Sequence, residues 1–266
     1  MTAPNQPPAE ALVSARDLVK IYPSKDGRGI RALDKVSFDV RQGEFISIVG
    51  RSGCGKSTLL KVLSGLLKHT QGEVTINGRP IEGPNRDIGV VFQSPVLLPW
   101  RTVLQNVLFP NQIRKDLTPQ TVERAKALLD TVGLAGFSGK YPKELSGGMQ
   151  QRAGIVRALV QDPKLLLMDE PFGALDAMTR EQMNLEVLRI WADTKKTIIF
   201  VTHSIAEAVF LSDRVFVMTP RPGRLAEVVD IDLPRPRTLD MINSDVFGTF
   251  THRIREYLDA KGDIGG

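Results

Sequence analysis

The sequence predicts an α/β protein, with a mainly parallel sheet covered by helices and a β-rich N-terminal part. Three observations carry this reading. Apolar runs at 165–168, 198–201 and 215–218 alternate with helical patterns around 179–191 and 206–211, the alternation that builds a parallel sheet between helices. The run Phe45–Val49 passes through a glycine-rich turn into a helix beginning near Gly55. Residues 74–76 lead into Asn77-Gly78, a pair that accepts the positive φ of a type I′ hairpin turn.

Residues 1–10 hold Pro4, Pro7 and Pro8 among small polar residues and read as a loose leader. Short β-type runs follow between Ala11 and Gly50, including 37–40, and are broken by a loop at Gly27 and Gly29. Residues 88–92 form a further strand candidate. Thr118 then caps a helix whose first position is Pro119, and Gly133 stands where its stop belongs. Val122, Ala125, Leu129 and Val132 fall at helical spacing between them. A second helix spans about 149–160. On the long helix after it, Met183, Val187, Ile190 and Trp191 make one apolar stripe, for which core packing is sufficient. From about 221 onward, RPGR and LPRPR read as a partly extended C-terminal segment. No internal repeat is present.

Composition narrows the class. Hydrophobic residues make up 42% of the 266 and charged residues 24%, the balance of a chain that buries a core, which excludes a disordered tail or fibrous repeat. The longest apolar runs fall far short of the roughly 18–20 residues that cross a bilayer. The N-terminus has neither a basic region nor an apolar core of the secretory kind. A single cysteine makes no internal disulfide and fits a reducing compartment. The net charge of +5 could favour nucleic acid, nucleotides or an anionic membrane surface, but a scattered solvated surface charge is the better explanation for it. No run of five basic residues supports a nucleic-acid tail.

Gly50, Gly55, Lys56 and Ser57 satisfy the phosphate-loop pattern GxxxxGK[ST], in the strand–turn–helix context that the pattern requires. The loop as a whole, Gly50, Arg51, Ser52, Gly53, Cys54, Gly55, Lys56, Ser57 and Thr58, is the expected nucleotide cradle. Its backbone N–H groups and the helix dipole meet phosphate oxygens, Lys56 reaches the outer phosphates, and Ser57 offers a hydroxyl to Mg²⁺. Cys54 receives no catalytic role. The apolar run 165–168 ends in Asp169-Glu170. Alone, that would mark a strand terminus; downstream of a phosphate loop, Asp169 suits the metal and Glu170 the attacking water.

A second anion site opens at Ser146-Gly147-Gly148, inside LSGGMQQR, where a hydroxyl and free N–H groups begin a helix. With the phosphate loop and Asp169-Glu170 in order, this segment closely resembles the ATP-binding-cassette (ABC) ATPases over nearly the whole chain. The resemblance implies a P-loop NTPase core with a mainly parallel sheet, an N-terminal antiparallel β-subdomain and an inserted α-helical signature subdomain at about 95–160. The ATPase domain would run over 11–235, with an extension at 236–266. It also implies ATP and Mg²⁺ as ligands, with Tyr22 stacking on adenine and Gln93 touching Mg²⁺ and water. Gln150 would join the signature site, Asp176 would lie in the loop across the dimer interface, and His203 would act near the γ-phosphate. Family members close as head-to-tail dimers in which each Ser146-type signature completes the other copy's site.

Residues 94–107 follow Gln93 and place Leu97, Leu98 and Trp100 at the surface, where such ATPases receive a membrane permease; packing within the helical subdomain explains the same residues. Together with the segment after His203, they resemble the nitrate/sulfonate/taurine-type importer ATPases. That resemblance implies a peripheral protein on the cytoplasmic face of the inner membrane, working with permease subunits and indirectly with an external solute-binding protein, and without nucleic acid. The rival readings are a soluble ABC ATPase of translation or DNA repair, which typically carries two cassettes or long insertions, and a P-loop kinase, which leaves LSGGMQQR unexplained.

Overall fold

The computed structural model describes residues 11–24 and 28–260. The leader at 1–10 and Gly27 lie outside the described residues. The chain opens with β1 (Ala11–Tyr22) and β2 (Ile30–Arg41), followed by β3 (Phe45–Val49), α1 (Lys56–Leu63), β4 (Gln71–Ile76), β5 (Arg79–Pro80) and β6 (Ile88–Val91). A helical stretch comes next, with α2 (Val103–Val107), α3 (Phe109–Arg114), α4 (Pro119–Thr131) and α5 (Gly147–Leu159). The rest alternates as β7 (Leu165–Asp169), α6 (Ala177–Thr194), β8 (Thr197–Val201), α7 (Ile205–Leu211), β9 (Arg214–Met218), β10 (Leu225–Asp230) and α8 (Asp245–Ala260).

Two sheets result. One is antiparallel, in the order β2-β1-β4-β5; the other runs β10-β9-β3-β8-β7-β6, parallel except for β10 at its edge. Strands β3 and β8 are buried at every position, so both faces of the parallel sheet must be covered. Side chains alternate across it. Ile46, Ile48, Leu165, Leu167, Ile199 and Val201 meet α1 and the antiparallel sheet. Their neighbours Phe45, Val49, Leu166, Met168, Ile198 and Phe200 meet α5, α6, α7 and α8.

The N-terminal strands are longer than the short runs the sequence suggests. Asp17 (φ 46) and Lys35 (φ 50) interrupt the alternation at register shifts, and such bulges split one strand into fragments for any period-2 reading. The hairpin turn is as expected, with Asn77 at φ 49 and Gly78 at φ 68 joining β4 to β5. In α4 the Thr118 hydroxyl accepts from the Thr121 amide, Pro119 is the first residue, and Gly133 follows the helix at φ 69. The C-terminal part differs most from its reading as an extended segment. β10 pairs with β9, and α8 buries Phe247 and Ile254 in the core shared with α5, α6 and α7.

Candidate functional site

The phosphate loop leaves the buried end of β3 and turns back on itself. A Cβ at Gly50 would lie 2.7 Å from Cys54 Sγ. Gly55, at φ 111, precedes α1, and a Cβ there would meet the Ala32 carbonyl at 2.8 Å. Only glycine fits either point, the second also because its φ is closed to L side chains. Lys56 is 6% exposed, and its Nζ donates to the Gly50 carbonyl at 2.9 Å and the Arg51 carbonyl at 3.4 Å. The ammonium is thereby centred in the loop. Cys54 is buried, and burial pushes its thiol up from the ordinary value; it packs under the loop as a small hydrophobe.

Both acids arrive from the end of β7, which β8 separates from β3 in the sheet. β7 ends at Asp169, whose Oδ1 accepts from Ser57 Oγ at 3.1 Å. Burial raises the Asp169 carboxyl above the usual carboxylate range, opposed by the Ser57 hydrogen bond and reinforced by the charge of Glu170. Glu170 stands at φ 45, a left-handed backbone for a residue with a Cβ, held by its N–H to the Val201 carbonyl at 2.9 Å. Its Oε1 is 3.9 Å from Lys56 Nζ and its Oε2 is 3.4 Å from His203 Nδ1. The loop carrying His203 is braced in turn: Thr202 Oγ1 donates to Glu207 Oε2 at 2.6 Å, and Ser204 caps α7.

A cavity of about 330 Å³ opens over this cluster. Its walls include Ser52, Gly53 and Gly55 to Thr58 of the loop, the carboxylates Asp169 and Glu170, Gln93, and on the far side Tyr22, Ile30 and Ala32. The Tyr22 hydroxyl is 3.3 Å from Thr58 Oγ1, which holds the ring beside the loop. Gln93 follows β6 on a segment tied to α5, since Gln151 Nε2 donates to the Phe92 carbonyl at 3.2 Å and Arg157 donates to the Pro95 and Val96 carbonyls at 2.7 and 2.8 Å.

The signature residues lie elsewhere. Ser146 caps α5 by accepting from the Met149 amide, and Gln150 Nε2 donates to the Pro142 and Leu145 carbonyls at 3.1 and 3.3 Å. None of Ser146, Gly147, Gly148 or Gln150 lines the cavity. Gly147 instead faces Leu175, and Gly148 faces Thr179. Asp176 caps α6, and hydrogen bonds from Thr179 hold its carboxyl below the usual range. The loop expected at a dimer interface therefore sits against the start of α5. Its neighbour is the signature, not the phosphate loop of the same chain.

The expected surface at 97–100 needs correction. Trp100 is 71% exposed, but Leu97 packs against the core and Leu98 is half-buried. Asn106, fully buried, explains this: it accepts from the Leu98 amide and donates to the Leu98, Arg101 and Thr102 carbonyls, pulling the loop inward. The exposed apolar side chains here are Phe92, Val96 and Trp100. Sequence reasoning also passed over Arg221. That residue lines the cavity from the hairpin between β9 and β10, and the only signal for it was the RPGR run.

Ser57 and Asp169 bring a hydroxyl and a carboxylate together, with the Gln93 amide on the same cavity. These hard oxygen donors fit Mg²⁺, which keeps several waters and relies on one or two carboxylates and substrate phosphates. Among the described residues no cluster of three His, Cys, Asp or Glu side chains forms a dedicated metal cage.

Comparison with known proteins gives a consistent picture. The sequence matches the ABC transporter family model over residues 33–173. It is 49% identical over 214 residues to a taurine import ATP-binding protein, TauB, of Rhizobium johnstonii, covering 80% of this chain and 82% of that protein. It is 43% identical over 248 residues to an aliphatic sulfonates import ATP-binding protein, SsuB, of Bacillus cereus, covering 93% and 96%. The fold superimposes on the dimeric ATP-binding cassette MJ0796, solved in a post-hydrolysis state with ADP and Pi, at TM-score 0.73 and 33% identity, over 84% of this chain and all of that one.

Proposed function

The chain belongs to the ABC transporter family, as an ATP-binding and ATP-hydrolysing member, and from that premise we propose that it energises an importer for a small oxyanion such as a sulfonate, taurine or nitrate. The names of its relatives support the substrate class. The observation that carries the catalytic part is the contact of Glu170 with both Lys56 and His203 at the mouth of the glycine-rich loop. ATP enters with its phosphates in the loop and its base toward Tyr22. Lys56 and the loop amides neutralise and orient the outer phosphates, so that most of the catalysis is positioning and charge stabilisation. Glu170 orients water for in-line attack and accepts its proton, while His203 steadies the Glu170 carboxylate and faces the departing phosphate. Bound at Ser57, Asp169 and Gln93, Mg²⁺ would neutralise charge on the phosphate oxygens.

Within the chain, residues 11–235 are the ATPase domain, 95–160 its helical arm and 236–266 an extension. Ser146, Gly147, Gly148 and Gln150 serve a second copy's nucleotide, with Asp176 at the seam between copies. The solved dimer of a relative supports this arrangement. No helix among the described residues is long and apolar enough to cross a membrane, so permease subunits supply the spans and this chain docks peripherally on their cytoplasmic face. Phe92, Val96 and Trp100 are the exposed apolar contacts for that docking. A purified Glu170→Gln variant should retain ATP binding, lose about 10²–10³-fold in turnover and accumulate a closed dimer. Wild-type turnover in that variant would remove Glu170 from its role.

A further inference from the structure

Arg221 to Arg224 form the turn between β9 and β10, and this turn is fastened to the nucleotide cavity on three sides. Gly223 donates its N–H to the Ala32 carbonyl at 2.9 Å and accepts from the Asp34 amide at 3.0 Å, which pairs the turn with β2. A Cβ on Gly223 would lie 2.1 Å from the Cys54 carbonyl, so the turn also presses directly on the phosphate loop. Arg224 is anchored to the buried carboxylate of Asp34, with Nε to Oδ2 at 2.8 Å, and Arg31 holds the other oxygen at 2.6 Å. One arginine of the turn is thus tied into an ion pair within the protein. The other, Arg221, lines the cavity with its guanidinium against Gly53, where Nη2 is 3.7 Å from the position a Cβ would take. Among the described residues no carboxylate or carbonyl holds it.

We propose that Arg221 is a nucleotide-binding residue, a second cation for the phosphates of ATP presented from outside the phosphate loop. The inference rests on the ATP-binding reading above and extends it to a segment that none of the loop or signature motifs includes. Charge explains the need. The charged side chains of the cavity walls are Asp169 and Glu170 against Lys56 and Arg221, so without Arg221 the lining itself offers a polyphosphate two carboxylates and one ammonium before Mg²⁺ is counted. A guanidinium forms forked, charge-assisted hydrogen bonds to phosphate, and a turn locked to both β2 and the loop spends little entropy in presenting it. Because the contact exists before any chemistry, it stabilises bound nucleotide and transition state alike. Such uniform binding moves KM and leaves kcat.

The test is titration of the purified full-length protein with a fluorescent ATP analogue and Mg²⁺, alongside steady-state ATPase kinetics and thermal melting. Arg221→Ala and Arg221→Gln should weaken binding about tenfold, raise KM for ATP in parallel and change kcat by less than about twofold. Arg221→Lys should fall between them and the wild type. Melting temperatures without nucleotide should coincide, since the side chain has no protein partner to lose. Unchanged affinity in Arg221→Ala would overturn the proposal, as would a loss of kcat at unchanged affinity or a lowered melting temperature in all three variants. A wild-type protein that fails to bind the analogue would instead bring down the ATP reading on which the proposal stands.

Discussion

Asp34 shows how a single residue far from the chemistry can govern the site. Its carboxylate is 3% exposed; burial alone would raise its pKa, but hydrogen bonds from Arg224 and Arg31 outweigh that and hold it below the usual carboxylate value. A depressed carboxyl adds stability above the unfolded value near pH 4 and loses it as pH falls through the folded value. Asp34→Asn should therefore destabilise the protein at pH 7, by about 1–2 kcal/mol because Arg224 is largely solvated and can rehydrate. In urea unfolding, the gap between mutant and wild-type midpoints should shrink below pH 4. A gap that stays constant with pH would show that the ion pairs are not its source. Nothing in the sequence marks Asp34 among the charged residues of β2. Its partner Arg224 lies 190 positions away, and only the folded chain brings them together.

At the scale of elements, legibility follows how local each signal is. α4 was readable to its caps because Thr118, Pro119 and Gly133 act on neighbouring backbone groups. The phosphate loop was readable for the same reason. α2 and α3 were not, since one is five residues and the other six, too short for a 3.6-residue period to repeat. α8 was missed although its apolar residues follow helical spacing, because the proline-rich stretch before it drew the whole C-terminus into one extended reading. The structure makes α8 part of the core: Ile254 is fully buried, and Asp259 at its far end comes within 3.7 Å of Arg51 in the phosphate loop. Ile254→Ala should cost about 2–4 kcal/mol in chemical denaturation. A change below 0.5 kcal/mol would mean that the helix is not held by that packing.

For the whole molecule, the decisive fact is that the two helix starts proposed to bind phosphate sit in different places. α1 opens onto the cavity, while α5 opens beside Leu175 and Thr179, away from the cavity walls. If both serve one nucleotide, as proposed, they must come from two copies of the chain. Ser146→Ala should therefore leave the affinity of the isolated subunit for ATP unchanged and lower turnover at least tenfold. In the Glu170→Gln background it should abolish the ATP-dependent dimer on size-exclusion chromatography. A dimer that persists with full stability would separate Ser146 from the interface. The cap that Ser146 provides is worth only about 1 kcal/mol, so the protein should remain folded for this measurement.

The sequence alone determined whatever depends on neighbours along the chain. It placed the loop from Gly50 to Thr58, the capped start of α5, the acid pair at the end of β7 and just beyond it, and the parallel α/β core, because glycine conformations, caps and two-residue alternation act within a few positions. Tertiary structure decided what those pieces face. Parallel strand pairing through crossovers set Lys56 and His203 each within 4 Å of Glu170, and β2 drew Arg221 to the same cavity through backbone hydrogen bonds to Gly223. Backbone pairing of this kind names no partner strand in the sequence: the RPGR run and its obligatory Gly223 mark a turn, but not what the turn packs against.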